Sequence, residues 1–428
     1  MAALGALCAV YLLLAALPAA SGSKLVLATA GGSPDWLLGP LRFAGLSGAD
    51  GPLAGPLFYA GLWLALILYL AVLVRVRDLP GRALLWMIAG LHLLFLLAPP
   101  LLSQDVFSYI AYARLGVEHS LGPYTHSPLD IPGDAVFGFA GSKNAVSVYG
   151  PVFTLLSYPL APIGLAGALW TLKAVAAACS LGIVLLVWRG ARLLGRDPAF
   201  AAALVGLNPL VLVHVVGGAH NEALAVLLTA VGIVVALGSG QARDRRPELG
   251  VGTAAAAVGI KASAGLVVPF MVARARERWR RALVTAVSVV AAIAVLGLVV
   301  FGPDAVHALS FLSSNQAHSS RWSFPHKTAQ LLGALLPGGW RGYRDPVRIA
   351  FGAAFVVTFL WLLLRTWRGH DWLTAAGWAT LALLVASAWL VPWYALWLLP
   401  LAALSPDRRL LAASLALCAW MLVIAVPL

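Results

Sequence analysis

Apolar runs of about twenty residues recur along this chain, and they leave it few folds to choose from. The stretch LFYAGLWLALILYLAVLV at 57–74 is one of them. A helix needs roughly 20 such residues to cross a bilayer. Only 11% of the 428 residues are charged and 61% are hydrophobic, against about 25% charged in soluble domains. A soluble core of this size could not hide so much apolar surface, so the sequence predicts an all-α polytopic membrane protein.

The net charge of +13 could suggest a nucleic-acid partner, but its distribution argues against one. Most of the 29 basic residues fall in short clusters between apolar runs. These clusters are Arg75, Arg77 and Arg82; Arg189, Arg192 and Arg196; Arg243, Arg245 and Arg246; Arg274, Arg276, Arg278, Arg280 and Arg281; Arg365 and Arg368; and Arg408 and Arg409. Arginines so placed mark cytoplasmic loops, and no nucleic acid is implied. Cys8, Cys179 and Cys418 all lie in apolar runs and read as packing residues, not as a disulfide or metal framework.

With the arginine clusters held inside, spans thread near 2–20, 56–74, 83–101, 165–188, 198–217, 221–238, 248–260, 263–273, 283–301, 346–365, 373–391, 393–405 and 409–427. About 13 transmembrane helices, starting inside and ending outside, put every cluster on one face. The spans 248–260, 263–273 and 393–405 are short, which lipid tolerates where they line a cavity. The first segment lacks a basic start and reads as an uncleaved span rather than a signal peptide. The chain forms a single transmembrane domain, 1–428. Two extracytoplasmic loops, 102–150 and 302–345, are expected to contain short interfacial helices.

Chemistry concentrates on the outer side. In LLSQDVFSYIAYARLG from Leu101, Asp105, Ser108, Tyr109 and Tyr112 share one helical face. Arg114, Glu118 and His119 follow, and the loop closes with Tyr149 in SVYGPV at 147–152. GGAHNEA at 217–223 brings His220, Asn221 and Glu222; GIKASAGLVVPF at 259–270 brings Lys261. The second loop carries His318, Arg321, His326 and Lys327, and VPWYALWLLP at 391–400 carries Trp393, Tyr394 and Trp397.

Each has a plainer reading. Asp105 can cap a helix, and His220 and Asn221 can satisfy backbone in a tight turn. Lys261 can snorkel to the interface, and the aromatics, Trp397 above all, can form an interfacial belt. Lys173 lies well inside a span, where an ionisable group is a functional candidate by default. The combination favours chemistry: cations suit a lipid-linked phosphate, aromatic faces suit sugars, and a carboxylate can take a proton from a hydroxyl. No phosphate loop, zinc spacing or serine–histidine pair points to another chemistry.

These motifs carry a resemblance. An aspartate early in a large outer loop resembles the C-type, multi-membrane-spanning glycosyltransferases. More narrowly, SQDVFSY at 103–109, GPYTHSP at 122–128, SVYGP, NPLVLVHVVGGAHNEA at 208–223 and the IKASAGLVVPF stretch resemble actinobacterial polyprenol-phosphomannose-dependent α-1,6-mannosyltransferases of the cell envelope.

The resemblance implies the C-type glycosyltransferase fold in the plasma membrane, with the active site on the extracytoplasmic face. The donor would be polyprenyl-phosphate-mannose and the acceptor a mannan or lipomannan-type glycolipid, with inversion giving an α-1,6 linkage. Asp105 would be the catalytic base, and Lys261, Arg321, His318 and His326 would bind the donor phosphate. Tyr109, Tyr112, Tyr149, His220, Asn221, Trp393 and Tyr394 would bind sugar and acceptor. No nucleotide, cofactor or obligatory metal is needed, and a divalent ion stays open. Competing readings are a flippase or transporter of a lipid-linked sugar, which Lys173 favours, a transferase of arabinose or glucose from the same carrier, and a structural scaffold.

Overall fold

The computed structural model describes residues 2–19, 23, 25–26, 34–44, 53–238, 247–310 and 320–424. Among the described residues there is no β-strand. In hydrocarbon every backbone polar group must be satisfied within the chain, and a helix does this locally.

Helix occupies every apolar segment read from the sequence, with shifted ends. Among the described residues, five helical stretches are long and apolar enough to cross a membrane: Ala2–Ala19, Ala54–Asp78, Pro151–Leu193, Arg276–His307 and Gly339–Trp367. In the last two only 11% of the apolar window is buried. Such outward surface is favourable against lipid and costly against water. The molecule is an all-α membrane protein.

Two departures from the sequence reading bear on the outer side and the site. The helix expected from residue 346 begins at Gly339, and Phe324–Leu335 forms another helix before it, so much of the second loop is helical. Ser323 Oγ accepts from the His326 amide and Pro325 sits in the first turn, both ordinary helix-start devices.

The second difference positions the site. The segment expected as one span over 198–217 is broken. An α-helix, Pro198–Gly206, gives way at Leu207–Asn208 to a π-helical stretch, Val211–Val216. Residues 201–223 are all buried, so the break lies at the centre of the fold. An unpaired carbonyl there would cost several kcal/mol. Instead the Tyr11 hydroxyl donates to the Leu207 carbonyl (2.6 Å) and the Tyr69 hydroxyl to the Leu204 carbonyl (2.6 Å). The Leu210 amide donates to Asn208 Oδ1 (2.9 Å). The wider π-helical turns then deliver the Gly217–Gly218–Ala219 corner and the side chains after it.

Candidate functional site

Asp105 is the first residue of the helix Asp105–Glu118. Its amide donates to Ser103 Oγ (3.2 Å), while the N-cap position itself is Gln104, which makes no side-chain cap. Just before it, Leu102 has φ +56°. The Asp105 side chain is 38% exposed, open on one side and enclosed by protein on the others.

The turn at 217–221 brings the partners. Gly218 is required here, because a Cβ would run into the His214 carbonyl and the His220 ring. Ala219 has φ +56°. A non-glycine residue in this region costs about 1–3 kcal/mol, and such strain gathers at functional sites. Here Leu102 and Ala219 flank Asp105 and His220.

His220 is fully buried, its ring stacked on Trp393 at 3.8 Å and 18°. Its Nδ1 lies 3.6 Å from Asp105 Oδ2 and 3.8 Å from Glu222 Oε2. Neither distance is a hydrogen bond. Both ring nitrogens of His220, both polar atoms of the Asn221 side chain and Glu222 Oε2 are buried without a hydrogen-bond partner among the described residues. Each such group costs about 1–3 kcal/mol, and five of them gather at this one centre.

Lys261 comes from the junction between the Pro247–Ala256 helix with its 3-10 extension and the 3-10 turn Ala262–Val267. Its ammonium donates to Glu222 Oε1 in an ion pair, and Glu222 is fully buried. The ammonium also lies 4.9 Å from the Tyr394 ring centroid, 5.6 Å from that of Trp397 and 6.0 Å from that of Tyr149. Tyr394 and Trp397 stack at 4.2 Å. Tyr149 is brought close because the Gly150 amide donates to the Ile260 carbonyl (3.0 Å). A Cβ at Gly150 would strike the Gly259 carbonyl, so only glycine permits this approach.

Burial, then the negative charge of Glu222, pushes the Asp105 carboxyl up to about 6. Burial, then His214 and Lys261, lowers His220 well below its ordinary value, so its imidazole is neutral. Burial alone would lower Lys261, but Glu222 outweighs it and the ammonium is held charged. Burial raises the Tyr149 phenol, with Tyr109 and Asp105 adding to it. The centre therefore holds one accessible carboxylate raised to about 6, one neutral imidazole and one fixed ion pair.

The expected residues Asp105, Tyr109, Tyr149, His220, Asn221, Lys261, Trp393 and Tyr394 come together. Tyr109 is buried, its hydroxyl accepting from the Asn221 amide (3.5 Å) and its ring edge-on to Tyr149 at 4.9 Å. Tyr112 is buried too, and its hydroxyl donates to the Ala145 carbonyl (3.0 Å). Both act as walls behind Asp105. Arg321 and His326 belong to a second, cationic cluster: Arg321 lies 5.8 Å from the Trp322 ring, Lys327 3.8 Å from the same ring, and His326 packs on Trp340 at 5.2 Å. His318 lies outside the described residues.

Arg114 and His119 serve the loop. Asp134 accepts from Arg114 Nε (2.8 Å), His119 Nε2 (2.7 Å) and the Val136 amide (2.9 Å). Burial would raise Asp134, but these donors hold it below the usual carboxylate range. Among the described residues no group of three or more His, Cys, Asp or Glu side chains could hold a metal ion.

Lys261 does not snorkel, being 13% exposed and paired inward. Trp397 stacks on Tyr394 beside that ammonium. Glu222 carried no assigned role in the sequence reading. A carboxylate at the start of an apolar span, one residue after an asparagine and two after a histidine, was the available signal.

Residues 3–277 match the family described as "Alpha-(1->6)-mannopyranosyltransferase, N-terminal domain", and residues 328–428 match the "MptB C-terminal domain". The chain is 30% identical over 358 residues to alpha-(1->6)-mannopyranosyltransferase A of Mycobacterium tuberculosis, covering 78% of this chain and 67% of that protein. It is 31% identical over 181 residues to alpha-(1->6)-mannopyranosyltransferase A of Corynebacterium glutamicum, covering 41% of this chain and 35% of that one. No solved structure matches it.

Proposed function

The chain belongs to the alpha-(1->6)-mannopyranosyltransferase family, and we propose that it transfers mannose from polyprenyl-phosphate-mannose to a mannan or lipomannan-type glycolipid, at the extracytoplasmic face of the plasma membrane. The observation that carries this reading is the open Asp105 carboxylate beside a cluster of buried, unpartnered polar atoms.

In this reading Asp105 takes the proton of the acceptor hydroxyl. The acceptor oxygen forms a bond to the anomeric carbon on the face opposite the phosphate. The bond from that carbon to the phosphate oxygen breaks, and polyprenyl phosphate leaves with the electron pair. One displacement inverts a β-linked donor to an α product, an α-1,6 linkage for this family's type of acceptor. His220 and Asn221 supply the sugar with the hydrogen bonds they lack in the protein. Lys261 is the cation of this centre that offsets the leaving charge, and Arg321 with His326 and His318 serves the donor phosphate from the second loop. Tyr149, Trp393 and Tyr394 offer ring faces to sugars, with Tyr109 and Tyr112 behind them.

A flippase would account for the spans, cations and aromatics equally well, and Lys173 is the one feature that favours it. That ammonium is held by two backbone carbonyls. The test is to give purified protein labelled polyprenyl-phosphate-mannose with a mannan glycolipid acceptor. Labelled glycolipid and an equal amount of polyprenyl phosphate are expected. Movement of the donor between leaflets without transfer would sink the proposal.

A further inference from the structure

Lys173 is fully buried within the apolar helix Gly164–Leu193 and takes no part in the chemistry above. Among the described residues no carboxylate lies within ion-pair distance of it. Its ammonium donates instead to the Phe95 carbonyl (3.0 Å) and the Gly217 carbonyl (2.8 Å), and lies 5.8 Å from the Trp170 ring.

Those two carbonyls are the roots of the two arms that build the site. Phe95 lies in the last turns of the helix Gly81–Leu97, and the chain leaves that helix to reach Asp105. Gly217 ends the π-helical stretch and opens the turn to His220, Asn221 and Glu222. The Gly217 carbonyl also accepts from the Leu101 amide (3.2 Å), so the arms meet at that oxygen. Each arm then passes through a residue held in the left-handed region, Leu102 on one and Ala219 on the other. Strained backbone of this kind persists only where its surroundings over-determine it. A fully buried side chain that donates to both roots is such a constraint.

We propose that Lys173 is a positioning residue for mannosyl transfer: by tying the Phe95 and Gly217 carbonyls it sets the spacing of Asp105 from His220 and Glu222. This rests on the reading of Asp105 as the base. A displacement of the base by about 1 Å costs on the order of 10²-fold in rate, while donor affinity depends on other groups.

The experiment compares wild type, Asp105→Asn, Lys173→Met and Lys173→Gln as full-length protein in the same lipid, with polyprenyl-phosphate-mannose as donor. Wild-type transfer that is lost in Asp105→Asn establishes the underlying reading. Absence of wild-type transfer overturns that reading instead. Given the reading, Lys173→Met is expected to lose kcat about 10²-fold, with the KM for donor changed less than about twofold and an unfolding temperature near wild type. Lys173→Gln, which keeps an N–H donor, is expected to recover part of that kcat. Folded Lys173→Met with wild-type kcat would overturn the proposal, as would a loss confined to KM. Failure of both variants to fold would also overturn it, in favour of a purely structural role.

Discussion

The Nδ1 atom of His220 sits 3.6 Å from Asp105 Oδ2, across a centre whose other carboxylate, Glu222, is 3.8 Å from the same nitrogen. Two acids flank one neutral imidazole, and only Asp105 is open to solvent. Glu222 is tied to Lys261 and fully buried. Nearness thus separates the roles: Asp105 can exchange a proton with an incoming molecule, and Glu222 tunes it.

The pH dependence of transfer should report Asp105. A base works ionised, and burial with Glu222 places its titration near 6. The rate is expected to rise through that pH and level off above it. Asp105→Asn should lower kcat/KM about 10²- to 10⁴-fold and erase the acidic limb. Because the folded-state value is raised, ionising Asp105 weakens the fold as pH climbs from about 4 to about 6. The asparagine variant should therefore melt no lower than wild type at pH 7.5. A lower melting temperature there would count against the assignment.

Glu222→Gln removes one partner of a buried ion pair. The remaining ammonium is left uncompensated, a change that costs roughly 3–5 kcal/mol. It also removes the negative charge that raises Asp105, so any residual activity should show its acidic limb at lower pH than wild type. Thermal unfolding and a pH–rate profile on one preparation measure both. An unmoved limb would mean that Glu222 acts on Lys261 alone.

Much of this was legible in the sequence, and the reasons are local. Hydrocarbon length placed the apolar segments, and Asp105 stood out because a carboxylate directly after such a segment needs a reason. The break at Leu207–Asn208 was hidden, because the Tyr11 and Tyr69 hydroxyls that satisfy it come from distant helices. The Glu222–Lys261 pair was hidden likewise, since the partners are 39 residues apart. The Tyr394–Trp397 stack beside Lys261 was hidden too, because Lys261 lies far from both in the chain. Pairings across the bundle depend on packing, which no short window of sequence contains.

Trp393 covers one face of His220. Trp393→Ala should uncover the imidazole and let it turn, reducing transfer, while Trp393→Phe retains a ring and most of the rate. The check is carbethoxylation by diethyl pyrocarbonate, mapped by peptide mass. His220 should resist the reagent in wild type and Trp393→Phe and become reactive in Trp393→Ala. Equal reactivity in all three would show that the stack does not shield it.

The last prediction concerns the contact that holds Tyr149 against Lys261. Gly150 lies so close to Gly259 that a Cβ would strike backbone carbonyls, which cannot swing aside as a side chain can. Gly150→Ala must therefore push the 149–151 corner away from the 259–261 corner and strain the hydrogen bond from the Gly150 amide to the Ile260 carbonyl. Overpacking of this kind costs about 1–3 kcal/mol, and it acts where the ring and the ammonium meet. Gly133→Ala is the control, because a Cβ there meets nothing within 4 Å. Gly150→Ala should lose both unfolding temperature and transfer rate while Gly133→Ala keeps both. If the two variants behaved alike, the Gly150–Gly259 approach would not be what joins the first outer loop to the Lys261 junction.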